Sequence, residues 1–393
     1  MDNSAVILSA TRTPIGAFQG SLASRPAAQL GAAALKGAIT QAGISPEDVT
    51  DVLMGNVLQA GQGQAPARQA ALAAGLPSSV RCVTVHKVCG SGLQTILQAA
   101  HGLAAGAGKV YLAGGMESMS QAPYLLPKAR EGFRLGHQQV IDSIVSDGLW
   151  DPYNNLHMGG CAEQCAAKYQ FTREQQDAFA SESFRRANAA QKEGLFAAEI
   201  TPVEWTDARG AAVKVETDEG PGKVRYDKIP TLKPAFQKDG TITAANASSL
   251  NDGAAAVALT TAAWAKERQV KPLARIVAFG AHAQDPVWFT TAPVPAAKQV
   301  LAAAGWSVES VDLWEVNEAF AVVPMAFSRE LGVSAERLNV RGGAVALGHP
   351  IGASGARIVV TLLASLRARG LKRGIAAICI GGGEGLAIGV ELL

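Results

Sequence analysis

The chain lacks most of what would place it among secreted, membrane or nucleic-acid-binding proteins. Its 393 residues include five cysteines, Cys82, Cys89, Cys161, Cys165 and Cys379. An odd, sparse set with no secretion-type leader ahead of it reads as free thiols rather than a disulfide framework. No uninterrupted apolar run approaches the roughly 20 residues that span a bilayer. The opening MDNSAVILSATRTPIG has no positive n-region and only a short apolar stretch, so a cytoplasmic protein with no membrane partner is expected. Charge imbalance is missing too. Lys plus Arg number 35 against 33 for Asp plus Glu, and no basic block is interleaved with aromatics, which speaks against nucleic acid. Nor is there a phosphate loop: ahead of Gly108-Lys109 the position that needs glycine holds Leu103, and Val110 follows where Ser or Thr is required.

What is present is apolar residue and glycine in quantity. Hydrophobic residues make up 48% of the chain, enough for a large core. Several of the 42 glycines fall between short β-type runs and small-residue helices, the pattern of an α/β protein. An internal repeat organises the rest. AGISPEDVTDVLMGN, ending at Asn56, reappears as AGWSVESVDLWEVN, ending at Asn317, with Asp51 and Asp312 separated by 261 positions. Nearly the same offset relates Cys89 to His349. Each opens a run of small residues leading into a helix, CGSGLQTILQAA and HPIGASGARIVVTLLASL, and each helix leads to a strand ending in glycine-rich sequence, VYLAGGMES and AAICIGGGEG. The chain therefore divides into a first half at 1–119 and 246–268, an inserted polar loop domain at 120–245, and a second half at 269–393. A capping box of Thr172 and Gln175 predicts a helix start inside the insertion.

Two pseudo-symmetric halves bring helix starts and strand ends to one interface, which directs attention to Cys89, Asn317, His349 and Cys379. A cysteine at a helix start feels the positive end of the helix dipole, and a nearby imidazole would favour the thiolate further. Gly90, Ser91 and Gly92 are expected to leave room for a bulky ligand at the Cys89 thiol. Cys82, in the apolar run CVTV, reads instead as a small buried hydrophobe. His349 is a candidate base for the thiol proton. Cys379 precedes Gly381-Gly382-Gly383, whose backbone N–H groups suit an oxyanion. His157, Cys161 and Cys165 recur every four residues, as zinc ligands on a helix could. Gly159-Gly160 are expected to interrupt that helix and a fourth ligand is missing, so no metal site is assigned.

The motifs KVCGSG around Cys89, NEAF from Asn317, GGAVALGHPIGASGAR around His349 and CIGGGEG around Cys379 occur in this order across the chain. Together they resemble the thiolases, and the resemblance runs from TRTPIGAF to the last strand. It implies a five-layered αβαβα fold of two duplicated halves with a loop domain, assembled as a homotetramer built as a dimer of dimers. It implies a ping-pong condensation of two acetyl-CoA to acetoacetyl-CoA and CoA, with longer 3-ketoacyl-CoA cleavage as the alternative. Cys89 would carry the acyl group, His349 take the Cys89 proton, Cys379 act as acid and base, and Asn317 hold a water. The N–H of Gly381 would face the acyl oxyanion. By the same resemblance Ser248, His157, Met158 and Phe289 line the pantetheine path, and Lys223 and Lys228 approach the CoA nucleotide. No cofactor is implied, coenzyme A being a substrate. Phe289 resembles potassium-activated members, whereas Phe184 stands where those have a cation-binding tyrosine, so no potassium dependence is assigned.

Overall fold

The computed structural model describes residues 4–393; Met1 to Asn3, with which the first half was expected to begin, lie outside the described residues. The first half contains β1 (Ala5–Arg12), α1 (Ala27–Ala42), β2 (Asp51–Gly55), α2 (Pro66–Ala73), β3 (Arg81–Val85), α3 (Ser91–Ala104) and β4 (Val110–Ser118). After an insertion carrying α4 (Met158–Tyr169) and α5 (Arg173–Lys192), it closes with β5 (Asn251–Thr261). The second half contains β6 (Ala274–Ala283), α6 (Pro293–Ala304), β7 (Leu313–Val316), α7 (Val322–Leu331), α8 (Ile351–Arg369), β8 (Arg373–Ile380) and β9 (Glu384–Leu392).

The strand order is β7-β8-β9-β6-β1-β5-β4-β2-β3. Read outward from the centre, β6-β9-β8-β7 repeats β1-β5-β4-β2, and the counterpart of β3 is a single parallel bridge between Trp314 and Leu338. The halves join where β1 meets β6 through two residue pairs, Val6 with Arg275 and Ile7 with Ala274. The repeat in sequence is thus a repeat in topology. Its helix ends match as well: α1 stops at Gly43 and α6 at Gly305, both in the left-handed region at φ 64° and 65°, where a Cβ is penalised.

Strand alternation sets the layers. Val52 and Met54 of β2 face outward into a core shared with α1 and α2. Leu53 faces inward, with Ala113 of β4 and Val257 of β5, onto Leu93 and Ile96 of α3. The same inner core takes Ile358, Val359 and Leu362 of α8 and, from the other half, Ile378 and Ile388. Beyond that half-sheet, Ala377 and Ile375 pack with α6 and α7. Five layers result, with α3 and α8 together in the middle. α8 is long and apolar enough to cross a membrane, but it passes that test as a core helix buried between the half-sheets.

The insertion is tied to the first half by a buried ionic cluster. Arg12, fully buried, donates to Asp218 at 2.7 and 2.8 Å and to Glu199 at 2.7 Å, and Glu199 also meets Arg341 at 3.3 Å. Each charge there is compensated, which is the condition for tolerating it in a core. The Thr172–Gln175 capping box opens α5 as expected.

Candidate active site

Strand ends and helix starts meet where the two halves face each other. β2 and β4 run parallel, as do β7 and β8, so their C-terminal ends lie side by side. Asn317 follows β7 and its N–H donates to the Ala377 carbonyl at 3.0 Å, beside the strand that carries Cys379. Cys89 lies two residues before α3, and His349 two residues before α8. These two helices pack closely because glycine on each admits the other's backbone, Gly92 against Ala356 and Gly355 against Leu93. A Cβ on Gly92 would stand 2.8 Å from the Ala356 backbone nitrogen, and one on Gly90 would strike the Ile380 side chain. This corrects the expectation that Gly90 and Gly92 clear space for a ligand. They clear space for the opposite half of the protein.

Cys89 is partly exposed and held by backbone. The preceding Val88 has φ 44°, a left-handed conformation that costs a β-branched residue about 1–3 kcal/mol. Ser91 secures this turn by accepting from the Lys87 N–H at 2.8 Å and donating to the Val88 carbonyl at 2.7 Å. Lys87 also pairs with Glu384 from the second half. The Gly381 N–H donates toward the Cys89 sulfur and favours its thiolate, but the desolvating surroundings dominate and push the thiol up to about 11. The thiolate expected from a helix start is therefore not the resting form. Ser91, not Cys89, begins the helix, and the sulfur gains less from the Gly381 and Cys89 N–H groups than it loses in hydration.

His349 is buried and its Nδ1 lies 2.6 Å from the Ser354 hydroxyl. Its Nε2 has no hydrogen-bond partner, Cys89 included. Burial, and then the Arg357 charge, lower the imidazole to about 3, so it rests neutral. Its backbone is fixed by the Asn251 side chain, which accepts the His349 N–H at 3.0 Å. Cys379 is fully buried; burial first, then the Cys89 sulfur, raise its thiol well above the usual range. Asn317 is fully buried with both amide atoms unpartnered. Burying polar groups unpaired is costly, so the Asn317 amide and the His349 Nε2 each keep hydrogen-bonding capacity that a bound molecule can use.

One wall of the site comes from the insertion. A Cβ on Gly381 would stand 3.3 Å from Met158 Sδ. The neighbouring His157 stacks on Phe236 at 4.8 Å, Phe236 meets Phe320 at 5.9 Å, and Phe320 meets Phe289 at 6.3 Å. Ser248 donates to the Ala319 carbonyl at 2.9 Å, next to Phe320. Lys223 and Lys228 are not brought into this wall. Their side chains are 57% and 56% exposed and pair with Glu219 at 2.5 Å and Asp227 at 3.8 Å.

Two further expectations change. α4 runs unbroken through Gly159-Gly160, because Gly159 admits the Phe236 ring where a side chain would collide; His157 caps that helix, its Nδ1 accepting from the Gly159 N–H at 3.1 Å. Cys161 and Cys165 are buried thiols raised to about 11 by burial, and among the described residues no group of three His, Cys, Asp or Glu could hold a metal. Cys82 is half-buried on β3 rather than fully buried. Phe236, Asn251 and Ser354 escaped the sequence reading. Ser354 alone had a signal, lying in the His349 motif and one helical turn beyond it.

Residues 5–263 match the family described as thiolase, N-terminal domain, and residues 270–392 that described as thiolase, C-terminal domain. The acetyl-CoA acetyltransferase of Pseudomonas aeruginosa is 51% identical over 384 residues, covering 98% of each chain. The mitochondrial acetyl-CoA acetyltransferase of Rattus norvegicus is 51% identical over 392 residues, covering 100% of this chain and 92% of its own. A thiolase of Ascaris suum solved in complex with coenzyme A superposes with a TM-score of 0.94 at 44% identity, covering 99% of this chain and 100% of that one. The two family matches between them span nearly all of both duplicated halves, and with relatives about half identical over the full length they show that the chain belongs to the thiolase family.

Proposed function

We propose that this chain is an acetyl-CoA C-acetyltransferase, converting two acetyl-CoA reversibly to acetoacetyl-CoA and CoA through an acyl-Cys89 intermediate. Full-length relatives bearing that activity in their names, at about half identity, support the substrate class. The observation that carries the site is the meeting of Cys89 with the Gly381 N–H within electrostatic reach of Cys379, with His349 Nε2 and the Asn317 amide both buried and unpartnered.

With Cys89 resting as a thiol and His349 as a neutral imidazole, proton transfer accompanies attack instead of preceding it. The sulfur bonds to the thioester carbonyl as Nε2 takes its proton. The negative oxygen faces the N–H groups of Cys89 and Gly381, preorganised in a desolvated site. The carbon–sulfur bond to CoA then breaks and His349 returns the proton to the leaving CoA. In the second half-reaction Cys379 first gives its proton to His349 Nε2, and the thiolate that remains, made strongly basic by burial, removes a methyl proton from another acetyl-CoA. His349 and a water held by Asn317 face the enolate oxygen. The carbon electron pair attacks the acetyl group, the Cys89–acyl bond breaks, and the proton on His349 Nε2 passes to the released Cys89 sulfur, while Cys379 keeps the methyl proton and is again a thiol.

His157, Met158, Ser248 and Phe289 form the pantetheine wall in this reading, and Lys223 and Lys228 meet the nucleotide by exchanging their carboxylate partners for phosphate. The protein works in the cytoplasm as a homotetramer. Exposed Tyr124, Leu126, Leu135 and Val140 in the insertion, and the outer edge of β3 with exposed Val83, support assembly. Mass measurement in solution checks the tetramer. For the activity, acetoacetyl-CoA loss is followed with and without CoA, alongside intact mass after acetyl-CoA alone. CoA-dependent loss with one acetyl on Cys89 is expected; acetylation elsewhere, or loss independent of CoA, overturns the reading.

A further inference from the structure

Glu117 is fully buried, takes no part in the chemistry above, and yet makes four hydrogen bonds to backbone and side chain at the heart of the molecule. Its Oε2 accepts the N–H of Gly352 at 2.9 Å and of Val57 at 3.0 Å; its Oε1 accepts from Asn56 Nδ2 at 2.7 Å and from the Leu58 N–H at 3.2 Å. Gly352 is in the first turn of α8, three residues after His349, while Val57 and Leu58 belong to the apolar cluster that packs against Val88 and Cys89. One carboxylate thus joins the nucleophile's surroundings to the helix that carries the base.

The duplication explains why it stands there. Glu117 near the end of β4 lies opposite Gly253 of β5, as Cys379 near the end of β8 lies opposite Gly385 of β9. Asn56 follows β2 as Asn317 follows β7. Beyond Cys379, the Gly381 N–H reaches toward Cys89 ahead of α3, and Glu117 reaches the N-terminus of α8. Each half therefore holds an Asn, a strand-end functional group and a facing helix start. In the second half these are chemical. In the first they have become a clamp.

We propose that Glu117 is a positioning residue for the condensation: it fixes the first turn of α8, and with it His349, relative to the Cys89 loop. This rests on the assignment of His349 as the base of acyl transfer. A carboxylate can accept all four bonds; an amide of the same shape cannot, because its NH2 must face either Gly352 and Val57 or Asn56 and Leu58, all donors.

The test is Glu117→Gln, measured for unfolding midpoint, steady-state kinetics and the single-turnover rate of Cys89 acetylation. A folded variant is expected to lose about tenfold or more in kcat and in acetylation rate with KM within about twofold of the parent, since a displaced base weakens the step but not substrate binding. Glu117→Asp, retaining acceptor chemistry on a shorter arm, is expected to recover part of the loss. Should Glu117→Gln not fold, Asn56→Ala removes one of the four donors and is expected to lower kcat several-fold at unchanged KM. Unchanged kcat in the folded variant, or a rise in KM that accounts for the whole loss, overturns the proposal. His349→Ala separates the two levels of argument: undiminished acetylation in that variant refutes the base assignment, whereas lost acetylation there beside a fully active Glu117→Gln refutes the clamp alone.

Discussion

Raising pH should uncover the Cys89 thiolate late, and this can be worked through as a rate. A thiol at about 11, against roughly 8.5 for a free cysteine, leaves the thiolate about 300-fold scarcer near pH 7.5. A more basic thiolate is more nucleophilic, and a Brønsted slope of about 0.4–0.5 over that interval restores about 10- to 20-fold. Alkylation of Cys89 by iodoacetamide should therefore run about 15- to 30-fold slower than for a small free thiol at the same pH, and rise about tenfold per pH unit to beyond pH 10. The assay is loss of activity at fixed reagent between pH 6.5 and 10.5, with peptide mapping to confirm Cys89 as the labelled site and prior acetylation as protection. Because the His349 Nε2 makes no bond to the sulfur at rest, His349→Ala should leave the slope of this profile unchanged. A plateau below pH 8, or alkylation faster than a free thiol, would mean a preformed thiolate–imidazolium pair and would refute the neutral resting state.

Three other outcomes are expected. Cys379→Ser should still accept acetyl on Cys89, seen by intact mass, while condensation falls at least about a hundredfold, the low end of general-base contributions, because a hydroxyl ionises far above a thiol; near-normal condensation would remove Cys379 from the mechanism. Arg12→Ala should destabilise by about 3–5 kcal/mol in denaturant titration, since Asp218 and Glu199 are left buried and underpaired; a change below 1 kcal/mol would show that water reaches the cluster. At Gly92, alanine would gain about 1 kcal/mol from helix propensity, but its Cβ meets the α8 backbone at 2.8 Å, and backbone cannot step aside as a side chain can. Gly92→Ala should therefore be net destabilising by about 1–3 kcal/mol, and a stabilised variant would show that α3 and α8 can part freely.

The duplication was legible because it rests on local pattern, motifs repeated at a constant offset, whereas the five layers followed only from the resemblance to the thiolases. Cys89, Asn317, His349 and Cys379 could be picked from that repeat before any contact was known. What could not be read depends on who faces whom. Gly90 and Gly92 look alike in sequence whether they admit a ligand or a neighbouring helix, and only the Ile380 and Ala356 contacts decide. Gly159 looks like a helix breaker until Phe236 fills the space its missing side chain leaves. The Cys89 ionisation is hidden from the sequence for the same reason, since dipole and imidazole are visible as sequence neighbours or repeat partners while desolvation is a sum over the whole surroundings. Glu117 carries no local mark at all; its four donors come from two segments distant in sequence.

The position of β5 sets the order in which the chain can be finished during synthesis. It lies between β1 and β4 and pairs with both, yet 132 residues, the insertion among them, separate it from the end of β4. At ribosomal rates of about 5–20 residues per second, β1 and β4 emerge and then wait roughly 7–26 seconds for their shared partner. Through that interval both edges of β1 and one edge of β4 are open, the condition under which neighbouring chains on one message can pair wrongly. The apolar half-sheet facing α3 is uncovered for longer still, because α8 and the second half come later. Proteolysis of stalled nascent chains would locate the step: protection of the first half is expected only once residues through Thr261 have left the exit tunnel, and protection already present with the chain stalled in the insertion would show that some other segment holds β1 and β4 in the meantime.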